Sequence, residues 1–109
     1  MEIFKLTYPR YPAKLLSLVN LKSNKCSLEL GTGYLEAGVR MPDTGTSAHP
    51  RHEVSVILEG ELETTSEGIT QVLRAGDIVS IPALQAQSSV VTKNVKLMYV
   101  FFGADKNVP

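Results

Sequence analysis

The sequence predicts an all-β domain, a sandwich or barrel built from short antiparallel strands. Three observations carry that expectation. Apolar and polar residues alternate with period two in short segments, as where Leu35, Ala37, Val39 and Met41 alternate with Tyr34, Glu36, Gly38 and Arg40. Turn-forming residues such as Ser66-Glu67-Gly68 and Ala75-Gly76-Asp77 separate these segments at regular intervals. Helical periodicity is missing beyond the first twenty residues, which leaves Rossmann and helix-bundle readings without support. Many short, evenly spaced strands point to a closed or two-layered β architecture.

Each element follows in order. Pro9 and Pro12 make the first dozen residues irregular. Ala13 to Leu21 is apolar and fits a short helix or a strand. Cys26 to Leu30 alternates with Cys26, Leu28 and Leu30 on one side, and Gly31 with Gly33 marks a turn. A strand over residues 34–41 leads into the loop Pro42-Asp43-Thr44-Gly45. Glu53 to Glu59 is a strand that continues past Gly60 through Thr65. Ser66-Glu67-Gly68 is a tight turn into a strand from Ile69 to Leu73. Ile78 to Ile81 and Gln87 to Thr92 are further strands, and Lys93-Asn94 turns the chain into Val95 to Phe102. That last segment is apolar on both faces apart from Lys96 and Tyr99, and the polar tail Gly103 to Pro109 reads as frayed. No linker or repeat interrupts the 109 residues. They read as a single domain, with residues 1–30 as an arm or extra strands on a core barrel of residues 33–103.

Composition narrows the function classes. An apolar fraction of 43% and a charged fraction of 20% are ordinary for a globular protein. A formal net charge of zero argues against nucleic acid and against an anionic membrane surface as partners. It also removes one barrier to self-association. Cys26 is the single cysteine, so neither an internal disulfide nor a Cys-based zinc cage can form within one chain. A reducing, cytoplasmic location is expected on that ground. Residues 1–11 carry Glu2, Lys5 and Arg10 without a long apolar run, so no signal peptide is expected there. No stretch approaches the ~20 apolar residues of a membrane span.

Two segments resemble the paired motifs of the cupin superfamily. The first motif is a Gly, five residues, His-x-His, three or four residues, Glu, six residues, Gly. Here Ser47-Ala48-His49-Pro50-Arg51-His52-Glu53 runs into Val54-Ser55-Val56-Ile57-Leu58-Glu59-Gly60, with Met41 where the opening Gly belongs and Ser47 where the first His belongs. The second motif is a Gly, five residues, Pro-x-Gly, two residues, His, three residues, Asn. Gly76 and Pro82 keep that spacing, while Leu84, Gln87 and Val91 stand at the Gly, His and Asn positions. The resemblance is to a small cupin of the type-2 conserved-barrel kind. It covers residues 35–102 and implies a double-stranded β-helix, a jelly-roll barrel of two antiparallel sheets.

In relatives three His and one Glu hold a metal. Carried over by position, this chain offers Ser47, His49, Glu53 and Gln87. Strand alternation supports part of that set, because residues 47, 49 and 53 share parity and can face one cavity. Imidazole and carboxylate are ligands for first-row metals, and a Gln carbonyl suits a harder ion. His52 has the parity to face the other way. A bulge at Pro50 would re-aim it and give a set of His49, His52 and Glu53. The candidate metal set is thus His49, Glu53, Gln87 and His52, for one divalent ion (Fe, Mn, Ni or Zn) or for none. Without metal, His49 and Gln87 are hydrogen-bonding residues of a polar pocket, and Glu53 pairs with Arg51 or Arg40. Arg40 is a further candidate, able to hold a ligand carboxylate bidentately. Cys26, Tyr34, Met98 and Phe101 are expected in the core, with one of the last three lining the cavity as an alternative. No Ser-His-Asp set and no phosphate-cradling glycine loop is legible.

The leading functional expectation is a small cupin that binds a small polar ligand in its barrel with a degenerate metal site or none. One alternative is a metal-dependent enzyme, of the dioxygenase or isomerase kind found among relatives, using the reduced ligand set. A second alternative is a dimerisation or sensor module, a homodimer formed through the apolar surface of Leu15, Leu16, Leu18, Val19 and Leu21.

Overall fold

The computed structural model describes residues 1–104; residues 105–109, with most of the expected polar tail, lie outside the described residues. The chain folds into seven strands: β1 (Leu15–Ser23), β2 (Cys26–Leu35), β3 (Arg40–Met41), β4 (His52–Ser66), β5 (Ile69–Arg74), β6 (Ile78–Ile81) and β7 (Gln87–Ala104). All pairings are antiparallel. No helix among the described residues is long and apolar enough to cross a membrane.

Two long strands, β4 and β7, pass through both layers of the fold. The first half of β4 lies between β6 and the second half of β7, which in turn pairs with β2 and through it with β1. The second half of β4 lies between β5 and the first half of β7, whose other edge pairs with β3. The result is two antiparallel sheets closed over one core of Leu35, Ile57, Leu62, Val91, Val95, Leu97, Tyr99 and Phe101. This is the jelly-roll barrel expected above.

A corner in β4 makes the passage between layers possible. Register with β7 shifts at Ile57/Glu59, Glu59/Glu61 and Glu61/Leu62, and Gly60 sits there at φ +90. A Cβ on Gly60 would collide with the Asn94 carbonyl and stand 2.9 Å from the Lys93 carbonyl oxygen, so the corner needs glycine for both conformation and space. The corner also switches parity. Ser55 and Ile57 are buried before it, Leu62 and Thr64 after it.

Several local expectations need correction. Lys93-Asn94 is not a turn; β7 runs unbroken past it, packed against the Gly60 corner. Gly31 and Gly33 lie inside β2, not in a turn. A Cβ on Gly31 would meet the Tyr99 hydroxyl oxygen at 2.5 Å, so glycine is there to admit a ring. The strand expected over residues 34–41 ends at Leu35, and only Arg40–Met41 resumes it after Gly38 at φ +92. Cys26 is exposed rather than part of the core, at the start of β2. Of Ala13 to Leu21, the part from Leu15 onward resolves as strand, in β1.

Residues 1–14 form no helix or strand, and Thr7 and Tyr8 of this segment lie over the outer face of β2 and β7. The Thr32 hydroxyl donates to the Thr7 carbonyl at 2.5 Å, and the Lys96 ammonium stands 5.0 Å from the centre of the Tyr8 ring. That cover leaves Thr32 fully buried with its hydrogen bond made.

Candidate functional site

Residues from every strand and from the connection between β3 and β4 line a cavity of about 280 Å³; three segments supply most of its polar side chains. The first half of β4 turns Glu53, Ser55 and Ile57 inward, because alternate residues of a strand share a face. From β7 come Gln87, Ser89, Leu97, Tyr99 and Phe101, again alternate positions. The connection between β3 and β4 closes one end with Ser47, Ala48, His49 and Pro50. Backbone pairing holds that connection down. Ser47 N–H donates to the Gln87 carbonyl at 2.9 Å, Gln87 N–H to the Ser47 carbonyl at 2.8 Å, and Leu84 N–H to the His49 carbonyl at 2.7 Å.

The polar end is a small hydrogen-bonded cluster. Gln87 Nε2 donates to Glu53 Oε1 at 3.2 Å, and Ser55 Oγ donates to Glu53 Oε2 at 3.1 Å. The His49 ring lies flat on Phe101, with centroids 3.8 Å apart and planes 7° from parallel. Its Nδ1 accepts the Arg51 backbone N–H at 3.1 Å. Glu53 is the register partner of Phe101 on the neighbouring strand. Ser47, His49, Glu53 and Gln87, the four residues expected from motif spacing, therefore line one cavity.

Two further candidates lie elsewhere. His52 faces outward as strand parity requires; its Nε2 is 2.6 Å from Ser80 Oγ and its ring stacks on Phe102. No bulge at Pro50 re-aims it, so a set of His49, His52 and Glu53 does not form. Arg40 does not line the cavity; it donates to the Pro42 and Gly45 carbonyls, 2.8 Å each, and so shapes the loop after β3.

Behind Phe101 stands a second network. Tyr99 Oη donates to Glu29 Oε2 at 2.7 Å, and Glu29 Oε1 takes the Arg51 guanidinium at 3.2 Å. The same guanidinium lies 5.4 Å from the Phe101 ring centre. Arg51 pairs with Glu29 and not with Glu53, and its Nη1 stands 3.5 Å from Ser27 Oγ of β2. Burial pushes the Tyr99 phenol well above its ordinary range, and the hydrogen bond to Glu29 and the charge of Glu29 add to that, against a smaller opposing effect of Arg51.

The lining does not fit the metal site of cupin relatives. Among the described residues no group of three or more His, Cys, Asp or Glu could hold a metal ion. The cavity contributes one imidazole and one carboxylate. Both Glu53 oxygens accept hydrogen bonds from the protein, and Gln87 turns its amide nitrogen, not its oxygen, toward Glu53. His49 commits Nδ1 to the Arg51 N–H.

Fold and cavity together define a cupin barrel. The family model described as Ethanolamine utilisation protein EutQ matches residues 11–108, and the chain belongs to that family. A curated relative, Acetate kinase EutQ of Escherichia coli (strain K12), is 38% identical over 53 residues; the match covers 49% of this chain and only 23% of the relative's length. Among solved structures, an RmlC-like cupin from Shewanella frigidimarina superposes with a TM-score of 0.67 at 23% identity, covering 92% of this chain and 86% of that one. The DMSP lyase DddQ from Ruegeria pomeroyi superposes with a TM-score of 0.63 at 25% identity, covering 75% of this chain and 41% of that one.

Proposed function

We propose that the barrel binds a small organic molecule in its cavity without a resident metal ion. The observation that carries this reading is a cavity of about 280 Å³ whose largely apolar lining includes the polar side chains of Ser47, His49, Glu53 and Gln87. Apolar walls with a few convergent polar groups are the ordinary constitution of a small-molecule site. Leu35, Ile57, Leu62 and Leu97 supply the walls, and Ser47, His49, Glu53 and Gln87 supply the polar end. The motif positions that serve metal in relatives serve direct hydrogen bonding here.

The curated relative's name offers phosphoryl transfer to a carboxylate as another reading. No Lys or Arg is among the described residues lining the cavity, and its one carboxylate would face an anionic substrate, so we do not carry that activity to this chain. Self-association belongs to the proposal as well. Leu21 and Phe102 are exposed at 58% and 46%, and sedimentation should show a dimer that Phe102→Lys weakens.

A fragment screen on ¹⁵N-labelled protein tests the ligand reading. Binders should shift backbone amides of the cavity-facing parts of β4 and β7, and Glu53→Ala should abolish those shifts while leaving the rest of the spectrum in place. A screen whose hits all map to the outer sheet faces would refute it.

A further inference from the structure

We infer that the cavity takes a neutral, hydroxyl-bearing ligand, an alcohol in chemical class, whose O–H donates to Glu53 and whose oxygen accepts from His49 Nε2–H. This deepens the ligand-binding reading above and rests on it.

The hydrogen-bond roles follow from groups that have no choice. A backbone N–H can only donate, so His49 Nδ1, 3.1 Å from the Arg51 nitrogen, is an acceptor. A neutral imidazole with an acceptor at Nδ1 carries its proton on Nε2. Nε2 forms no hydrogen bond among the described residues, so its N–H is available to the cavity that His49 lines. The flat stack on Phe101 holds the ring in that attitude. The same proton removes the Nε2 lone pair that a metal ion would need.

Glu53, in contrast, is an acceptor. It takes one hydrogen from Gln87 Nε2 and one from Ser55 Oγ, which leaves part of the roughly four acceptor positions of a carboxylate open. Because a carboxylate calls for a donor, the Gln87 nitrogen faces Glu53 and the Gln87 oxygen remains as a second acceptor. Donor and acceptors line the same cavity. Phe101 carries the His49 ring on its face and has Glu53 opposite it on β4, and Gln87 pairs through its backbone with Ser47, two residues before His49.

Three ligand classes meet this end differently. A carboxylate accepts from His49 but confronts Glu53, with no Lys or Arg among the described lining residues to offset the repulsion. An ammonium pairs with Glu53 but leaves the His49 Nε2–H facing another donor. A hydroxyl donates once and accepts once, and satisfies both sides. Leaving a desolvated polar group unpaired costs more than a hydrogen bond gains, so the wrong class should bind about tenfold more weakly or worse.

The test is a titration of the ¹⁵N-labelled chain with benzyl alcohol, benzylammonium and benzoate, which keep one ring and change the polar group. Benzyl alcohol should shift the amides of Gln87, Ser89 and Phe101 with an affinity about tenfold better than either charged probe. In parallel, a long-range ¹H–¹⁵N spectrum of the imidazoles, assigned with His52→Gln, should show His49 protonated at Nε2 and bare at Nδ1. Equal or tighter binding of benzoate or benzylammonium overturns the ligand class and leaves the ligand-binding reading standing. A proton on His49 Nδ1 overturns the class as well. Silence of the cavity amides toward all three probes overturns both.

Discussion

Glu53 is the residue on which the cavity's polarity turns, since Gln87 and Ser55 both donate to it. Glu53→Gln keeps the shape and removes the obligate acceptor, so the binding of a hydroxyl-bearing probe should weaken about tenfold with little change in melting temperature, as calorimetry can check. Tyr99 makes a different prediction. Its phenol is held above its ordinary range by burial and by Glu29. A raised folded pKa stabilises the protein below the unfolded value of about 10 and loses that contribution as pH rises toward the folded value. Chemical denaturation should therefore show stability falling above about pH 10, and Tyr99→Phe should flatten that alkaline limb. The same substitution deletes a hydrogen bond to a carboxylate and should cost about 1.5–3 kcal/mol at neutral pH. Ser47, His49, Glu53 and Gln87 were legible as a group because motif spacing carries them. Glu29, Arg51 and Tyr99 were not, because their contacts join positions 22 and 70 residues apart and depend on the β2–β7 register.

At the scale of elements, two glycines separate what alternation reveals from what it hides. Gly31 and Gly33 share β2 and both face the interior, yet a Cβ meets different things at each. At Gly31 it would overlap the Leu16 carbonyl and the Tyr99 hydroxyl; at Gly33 it would touch the ends of Leu97 and Leu15 at 3.0–3.2 Å. Flexible leucine tips can give way and backbone cannot. Gly31→Ala should therefore lower stability by about 2 kcal/mol or more and Gly33→Ala by clearly less, which paired thermal melts will show. Gly60→Ala adds positive-φ strain to a backbone collision and should cost about 3 kcal/mol or prevent folding. Strand existence was legible from period-two alternation across β4 to β7, and so was the Ser66-Glu67-Gly68 turn, where Glu67 and Gly68 both take positive φ. The β2 glycines misled because a glycine pair reads the same whether it turns the chain or makes room for a ring. The Lys93-Asn94 corner misled because a bend between two sheets carries turn-like residues without leaving the strand.

For the whole molecule, the two long strands matter most. By threading β4 and β7 through both sheets, the chain places Glu53 and Phe101 of one layer near Gln87 of the other, and the cavity opens between them. The barrel was legible because the spacing of Glu53, Gly60, Gly76 and Pro82 survives, while the chemistry in its mouth diverges at Ser47 and Gln87. A scaffold can be retained while the site it carries changes, so the fold alone does not assign the reaction. Binding at the cavity should raise the melting temperature with probe concentration, as mass action requires of a ligand that recognises only the folded state. The most direct measurement is a titration of the chelator-treated protein with benzyl alcohol, followed by amide shifts and repeated after loading with Zn²⁺, Mn²⁺ or Fe²⁺. Saturable shifts of Gln87 and Phe101 with the same affinity in every case are the expected result. Shifts that appear only after metal loading, with stoichiometric metal that His49→Ala removes, would contradict a metal-independent cavity.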